Sequence, residues 1–167
     1  MTLKASVVTD IGASLTGSAT VGSNKHEIAK SIVNQFAEGA AANQAEEIYA
    51  AAAQLAASAV DSLDLAGGVT NSLGDVLTLT KVKALIIEAA STNQDTIVVG
   101  GNASPFASFF GDPADTLVLK PGGSVALIAP DAAGYAVTAG GGDVLDITNS
   151  DGVNVANYTI TVIGTIS

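Results

Sequence analysis

The chain contains no cysteine, no tryptophan and no arginine. Without cysteine there is no disulfide framework and no thiolate metal site. Without arginine there is no planar fork to grip a phosphate or carboxylate in two places. Six lysines stand against 16 carboxylates, a formal charge of −10 at pH 7. That balance argues against nucleic acid, whose phosphates need cations, and equally against an anionic membrane surface. Aromatic residues make up 4% of the chain, too few to line an ordinary small-molecule pocket. No apolar run is long enough for a membrane-crossing helix. The opening residues do not pair a basic start with an apolar stretch, as a secretory signal would.

What is present suits a scaffold. The 167 residues are enough for one domain with a real core. Alanine and glycine together exceed a quarter of the sequence. In residues 1–22, Leu3, Ala5 and Val7, then Ile11, Ala13 and Leu15, alternate with polar neighbours, the two-residue period of a half-buried strand. This predicts an N-terminal arm that pairs with another element or another subunit. Asn24 and Glu27 have capping-box spacing, and Ile28, Ile32, Val33 and Phe36 fit one helical face. The spacing predicts a short helix over 25–37, ended by Gly39. The alanine-rich stretch that follows favours helix by propensity, but from about residue 54 Leu55, Ala57, Ala59, Leu63 and Leu65 alternate as a strand would, with Asp61 out of step.

Beyond residue 61 short Val/Ile/Leu/Thr runs recur, separated by Gly100-Gly101, Pro121-Gly122-Gly123, Pro130-Asp131 and Gly140-Gly141-Gly142, which are turn chemistry. No helical pattern intervenes, so an antiparallel sandwich is expected rather than a parallel β-α-β sheet. The expected fold is all-β with minor α: a β-sandwich over 40–167, preceded in 1–39 by an extended arm and one short helix.

Motifs for chemistry are weak. The glycines at 140–142 lead into Asp143, the wrong charge for a phosphate loop, and into a strand instead of a helix. The single histidine, His26, has no nucleophile elbow to serve. Asp112 with Asp115, and Asp143 with Asp146, are carboxylate pairs, but aspartates at turns ordinarily accept hydrogen bonds from the backbone two residues on. The segment ITNSDGVNVANY places Asn149, Asp151 and Gly152 in an EF-like spacing, yet Ile147 and Tyr158 occupy positions where ligands belong. No catalytic residue, metal ligand or cofactor is assigned. Phe106, Phe109 and Phe110 are three of the four phenylalanines, gathered in one turn-rich segment. They read as a plug on one end of the core or as an aromatic contact with a neighbouring subunit. With Leu3, Val7 and Ile11 of the arm, they are the interface candidates.

The pieces SLDLAGG, LTLTKVKALII, GDPADTLVLKPGG and APDAAGYAVTAGGGD lie within a stretch, about residues 40–167, that resembles small virion structural proteins of tailed bacteriophages, in particular capsid decoration (cement) proteins. The resemblance implies a jelly-roll-like sandwich. It implies a homotrimer on the outer surface of the phage head, assembled in the bacterial host cytoplasm and bound to the major capsid protein. Such a protein braces the shell and has no enzymatic activity. A tail, fibre-base or head-fibre component, or a receptor- or carbohydrate-binding sandwich, is the alternative.

Overall fold

The computed structural model describes residues 2–18, 20–102 and 105–167. Its regular structure is strand throughout, and the described residues contain no helix. In chain order the strands are β1 (Ala5–Ser18), β2 (Ser23–Glu38), β3 (Gln44–Ala45), β4 (Glu47–Leu55), β5 (Val60–Asp64), β6 (Ala66–Thr70), β7 (Val76–Thr78), β8 (Lys81–Ala89), β9 (Ile97–Gly100), β10 (Thr116–Leu119), β11 (Ser124–Ile128), β12 (Tyr135–Ala136), β13 (Val144–Asn149) and β14 (Ala156–Thr165).

Two antiparallel sheets form the body. One has the order β11-β8-β14-β4, with β12 also pairing β8; the other has the order β10-β9-β13-β5. Their inward residues follow the two-residue period expected of strands with one buried face. In β13, Leu145, Ile147 and Asn149 are buried and their neighbours are half-buried. In β4, Tyr49, Ala51, Ala53 and Leu55 face inward while Ile48, Ala50, Ala52 and Gln54 are exposed. Leu85, Ile87, Ile160 and Val162 from the first sheet share one core with Ile97, Val99, Leu145 and Ile147 from the second. The small β6–β7 hairpin adds Val69 and Leu77 to that core.

The alternation is interrupted once where β14 pairs with β8. Between Ile163 and Gly164 the partner on β8 jumps from Ala84 to Val82, so Lys83 is an extra residue, a bulge. The bulge lets Val82 and Leu85 both enter the core. It also turns Lys83 under the 130–134 turn, where its ammonium donates to the Asp131 carbonyl. The chain passes so closely here that a Cβ on Gly164 would lie 2.5 Å from the Lys81 carbonyl oxygen.

The N-terminal region departs from the sequence reading. The helix expected over 25–37 is instead β2, which pairs with β1 in unbroken register from Ala5↔Phe36 to Ser18↔Ser23. Ile28, Ile32 and Phe36 are four apart, a spacing that satisfies both a helix face and a strand face. Val33, which the helical reading placed beside them, lies on the opposite face and pairs with Val8. Asn24 and Glu27 cap nothing; they pair with Gly17 and Ser14. Farther on, the strand expected from residue 54 begins earlier, at Glu47, and stops at Leu55. Ser58 adopts a positive φ of 55° in the turn that follows. Asp61, apparently out of step in the sequence, points inward on the next strand and meets Tyr158.

Candidate interaction surface

The β1–β2 hairpin has two unlike faces. One carries Val7, Ile11, Ala13 and Leu15 from β1 with Ile28, Ile32 and Phe36 from β2; the other carries mostly Ser, Thr, Lys and Glu. At the root the apolar face is covered. Val7 and Phe36 are buried with Ala45, Ala84 and Ile163, and Leu3, Ala5, Ile86 and Ile128 pack around them. Ala84, Ile163, Ile86 and Ile128 lie on the outer side of the β11-β8-β14-β4 sheet, opposite the core. The hairpin root is therefore a third layer on that sheet.

Away from the root the cover ends. Every described residue from Asp10 to Val33 is exposed. Ile11 is 50% exposed, Leu15 73%, Ile28 48% and Ile32 42%. An isolated two-stranded hairpin is at best marginally stable in water. Of the predicted arm contacts, the structure gathers Leu3 and Val7 at the root and leaves Ile11 out on the arm. Sequence reasoning misses Phe36, Ile28 and Ile32 as their partners, because their spacing fits a helix face as well as a strand face.

The outer side of the sheet that receives the root continues as a row pattern. Ile48, Ile163, Ala84 and Ile128 form one cross-strand row, then Ala50, Thr161, Ile86 and Ala126, then Ala52, Thr159, Glu88 and Ser124. Ile163, Ala84 and Ile128 of the first row, with Ile86 of the second, pack against the root, whereas Ile48 is exposed. The third is small and polar, and Ala52, Thr159, Glu88 and Ser124 are all exposed. A shallow depression of about 350 Å³ opens beside it, between Gln54, Glu88, Asn157 and Thr159.

The phenylalanine cluster sits elsewhere, with Phe106 in the main core and Phe109 packed against that core. Phe106 is 1% exposed and its N–H donates to the Val144 carbonyl. Phe109 packs edge-on against Phe106 and Tyr135, at centroid distances of 5.5 and 6.0 Å. Phe110 stacks at a tilt on Phe109, 4.3 Å away, and lies over Gly100, whose φ of 99° and lack of a Cβ admit the ring. Phe106 is thus a core plug, and Phe109 and Phe110 remain partly accessible.

The turn Asp and Asn side chains are occupied by the fold, whereas the buried Asp146 Oδ1 has no hydrogen-bond partner. Asp64, Asp112, Asp131 and Asp151 each accept a hydrogen bond from the backbone N–H two residues on, as do Asn71 and Asn149. The N–H groups of Gly134 and Ala133 hold the Asp131 carboxyl below its ordinary range, and Asn154 and Val153 do the same for Asp151. In the candidate calcium loop, Asp151 is thus engaged by its own turn, and Tyr158 is turned into the core. Its hydroxyl donates to Asp61 at 2.5 Å. Burial, that hydrogen bond and the Asp61 charge push the Tyr158 phenol far above its usual range; burial and Asp61 also raise Tyr49. Burial pushes the Lys83 amine down against the opposing pull of Asp131. Among the described residues no three histidine or acidic side chains converge on a point that would hold a metal. His26 is exposed on the hairpin, paired with Leu15.

No protein-family model, curated protein or solved structure matches the chain.

Proposed function

We propose that the chain is a virion structural protein of a tailed bacteriophage, a decoration protein that binds the outer surface of the major capsid protein shell and stabilises the head. The observation that carries this reading is where the uncovered apolar surface lies. It is on a projecting two-stranded arm, which suits contact with other protein chains, not in a concave, polar-lined pocket suited to turnover. The protein acts as a homotrimer and without enzymatic activity. The body carries the whole negative excess, which suits a surface kept apart from the genome.

The strand order supports a jelly-roll sandwich. Numbering the eight principal body strands (β4, β5, β8, β9, β10, β11, β13, β14) by letters B to I, one sheet runs G-D-I-B and the other F-E-H-C. That is the order of a double Greek key rolled into two four-stranded sheets.

Fractionation of purified particles into heads and tails, with the chain quantified by mass spectrometry, tests the role. The chain should follow heads, and heads stripped of it should rebind it and regain resistance to heat. Recovery with tails alone favours a fibre-base component. Absence from particles, together with glycan binding, favours a receptor module; either result overturns the decoration reading.

A further inference from the structure

We infer that the apolar face of the β1–β2 hairpin of one chain docks on the outer face of the β11-β8-β14-β4 sheet of a second copy, with Lys30 meeting Glu88. The contact already exists in part within one chain. At the root, Val7 and Phe36 lie on Ala84 and Ile163 of that sheet face. The same hairpin face then continues outward through Ile11, Ile28 and Ile32 with nothing over it. Two-stranded ribbons twist strongly, so this face swings away from its own sheet as the arm extends. The stretch from Val8 to Ser18 reaches roughly 35 Å at about 3.4 Å per residue, comparable to the length of a body strand such as β8.

Charge selects the occupant. Residues 2–38 hold three lysines and three carboxylates, whereas the body holds three lysines and thirteen carboxylates. Two bodies repel each other; an arm and a body do not. On the apolar hairpin face beyond its root, the ionisable groups are Lys30, paired with Ile11, and His26, paired with Leu15. Both offer N–H donors. In the three outer rows of the sheet, Glu88 is the only charge among the described residues. It stands among Ala52, Thr159 and Ser124, side chains small enough to admit a ribbon lying flat. An apolar strip with a basic side chain thus faces a small-residue strip with an acidic one. The contact is heterologous, joining unlike surfaces of identical chains, and closes as a ring if the rotation permits. It is argued from the hairpin and sheet alone, so a chain that self-associates this way but is absent from virions would sink the decoration reading and leave this one standing.

Sedimentation equilibrium of the full chain tests it. Lys30→Glu and Glu88→Lys, each alone, should weaken self-association at least tenfold, and the two together in one chain should restore it. Ile28→Ser should weaken it at least tenfold while the far-ultraviolet dichroism stays that of the wild type. The absence of cysteine allows a second readout. Lys30→Cys chains mixed with Glu88→Cys chains should form an interchain disulfide, and Lys30→Cys mixed with Lys120→Cys should not. A chain monomeric at all concentrations overturns the proposal. So does a charge swap without rescue, equal cross-linking to positions 88 and 120, or a 30–88 disulfide that forms within a doubly substituted monomer.

Discussion

Replacing Tyr158 by Phe removes one oxygen from the centre of the body. Tyr158 is 2% exposed, and its hydroxyl donates to the Asp61 carboxylate at 2.5 Å. A hydrogen bond to a charged acceptor is worth about 1.5–3 kcal/mol net. Asp61 is half-buried and regains water when the hydroxyl is lost, which places the expected loss towards the low end. For a chain of this size that is a fall in Tm of roughly 3–12 °C, measured by calorimetry at fixed protein concentration. The pH dependence is more specific. The folded chain keeps its Tyr158 proton well above pH 10, whereas the unfolded chain releases it near an ordinary tyrosine pKa of about 10. The folded state therefore binds more protons above that point, and stability falls as pH rises, by up to about 1.4 kcal/mol per pH unit from this group. Tyr158→Phe removes that slope and leaves the contribution of Tyr49, which burial and Asp61 raise in the same direction. A variant with unchanged Tm and an unchanged alkaline slope between pH 10 and 11 would refute the buried hydroxyl–carboxylate pair.

Phe106→Ala empties a fully buried site and should cost about 3–5 kcal/mol by urea denaturation, with Phe110→Ala, at a partly exposed position, costing clearly less; equal losses would contradict the plug. Gly164→Ala drives a Cβ against the Lys81 carbonyl and should destabilise by at least about 1–3 kcal/mol. Gly12→Ala meets open space on the arm and should leave thermal stability within about 0.5 kcal/mol. The carboxyls of Asp131 and Asp151 sit below their ordinary range, so their contribution is present above about pH 4 and is lost as pH falls through the lower folded values. Asp151→Asn should flatten the acid limb of a stability–pH profile, and an unchanged limb would show that the turn does not hold its carboxylate.

The body was largely legible because its signals are local. Turn residues such as Asp131 and the glycines at 100–101 and 122–123 act on their own backbone, and the alternation in DVLDITNS shows directly as burial in β13. The arm was half legible. Ile11, Ala13 and Leu15 alternate plainly, but Ile28, Ile32 and Phe36 repeat every fourth residue, where helix and strand agree. The β-branched Ile28, Ile32 and Val33 favoured strand, and only the partner strand β1 decides the matter. Contacts fixed by long-range register were not legible at all. Asp61 with Tyr158 spans 97 residues, and the Lys83 bulge exists only relative to Gly164. The phenylalanines illustrate the same limit: their clustering marked an aromatic site, but which ring plugs the core follows from how Pro105 bridges to Val144.

An arm ordered by contact with another protein chain is protected only while that contact lasts. Hydrogen–deuterium exchange of the assembled protein, read by mass spectrometry on peptides within residues 8–33, measures this directly. Those amides should exchange nearly as slowly as β8 and β14 peptides at high protein concentration, and faster on dilution as the assembly separates. Fast exchange of the arm at every concentration, in a particle-bound or free chain, would contradict it.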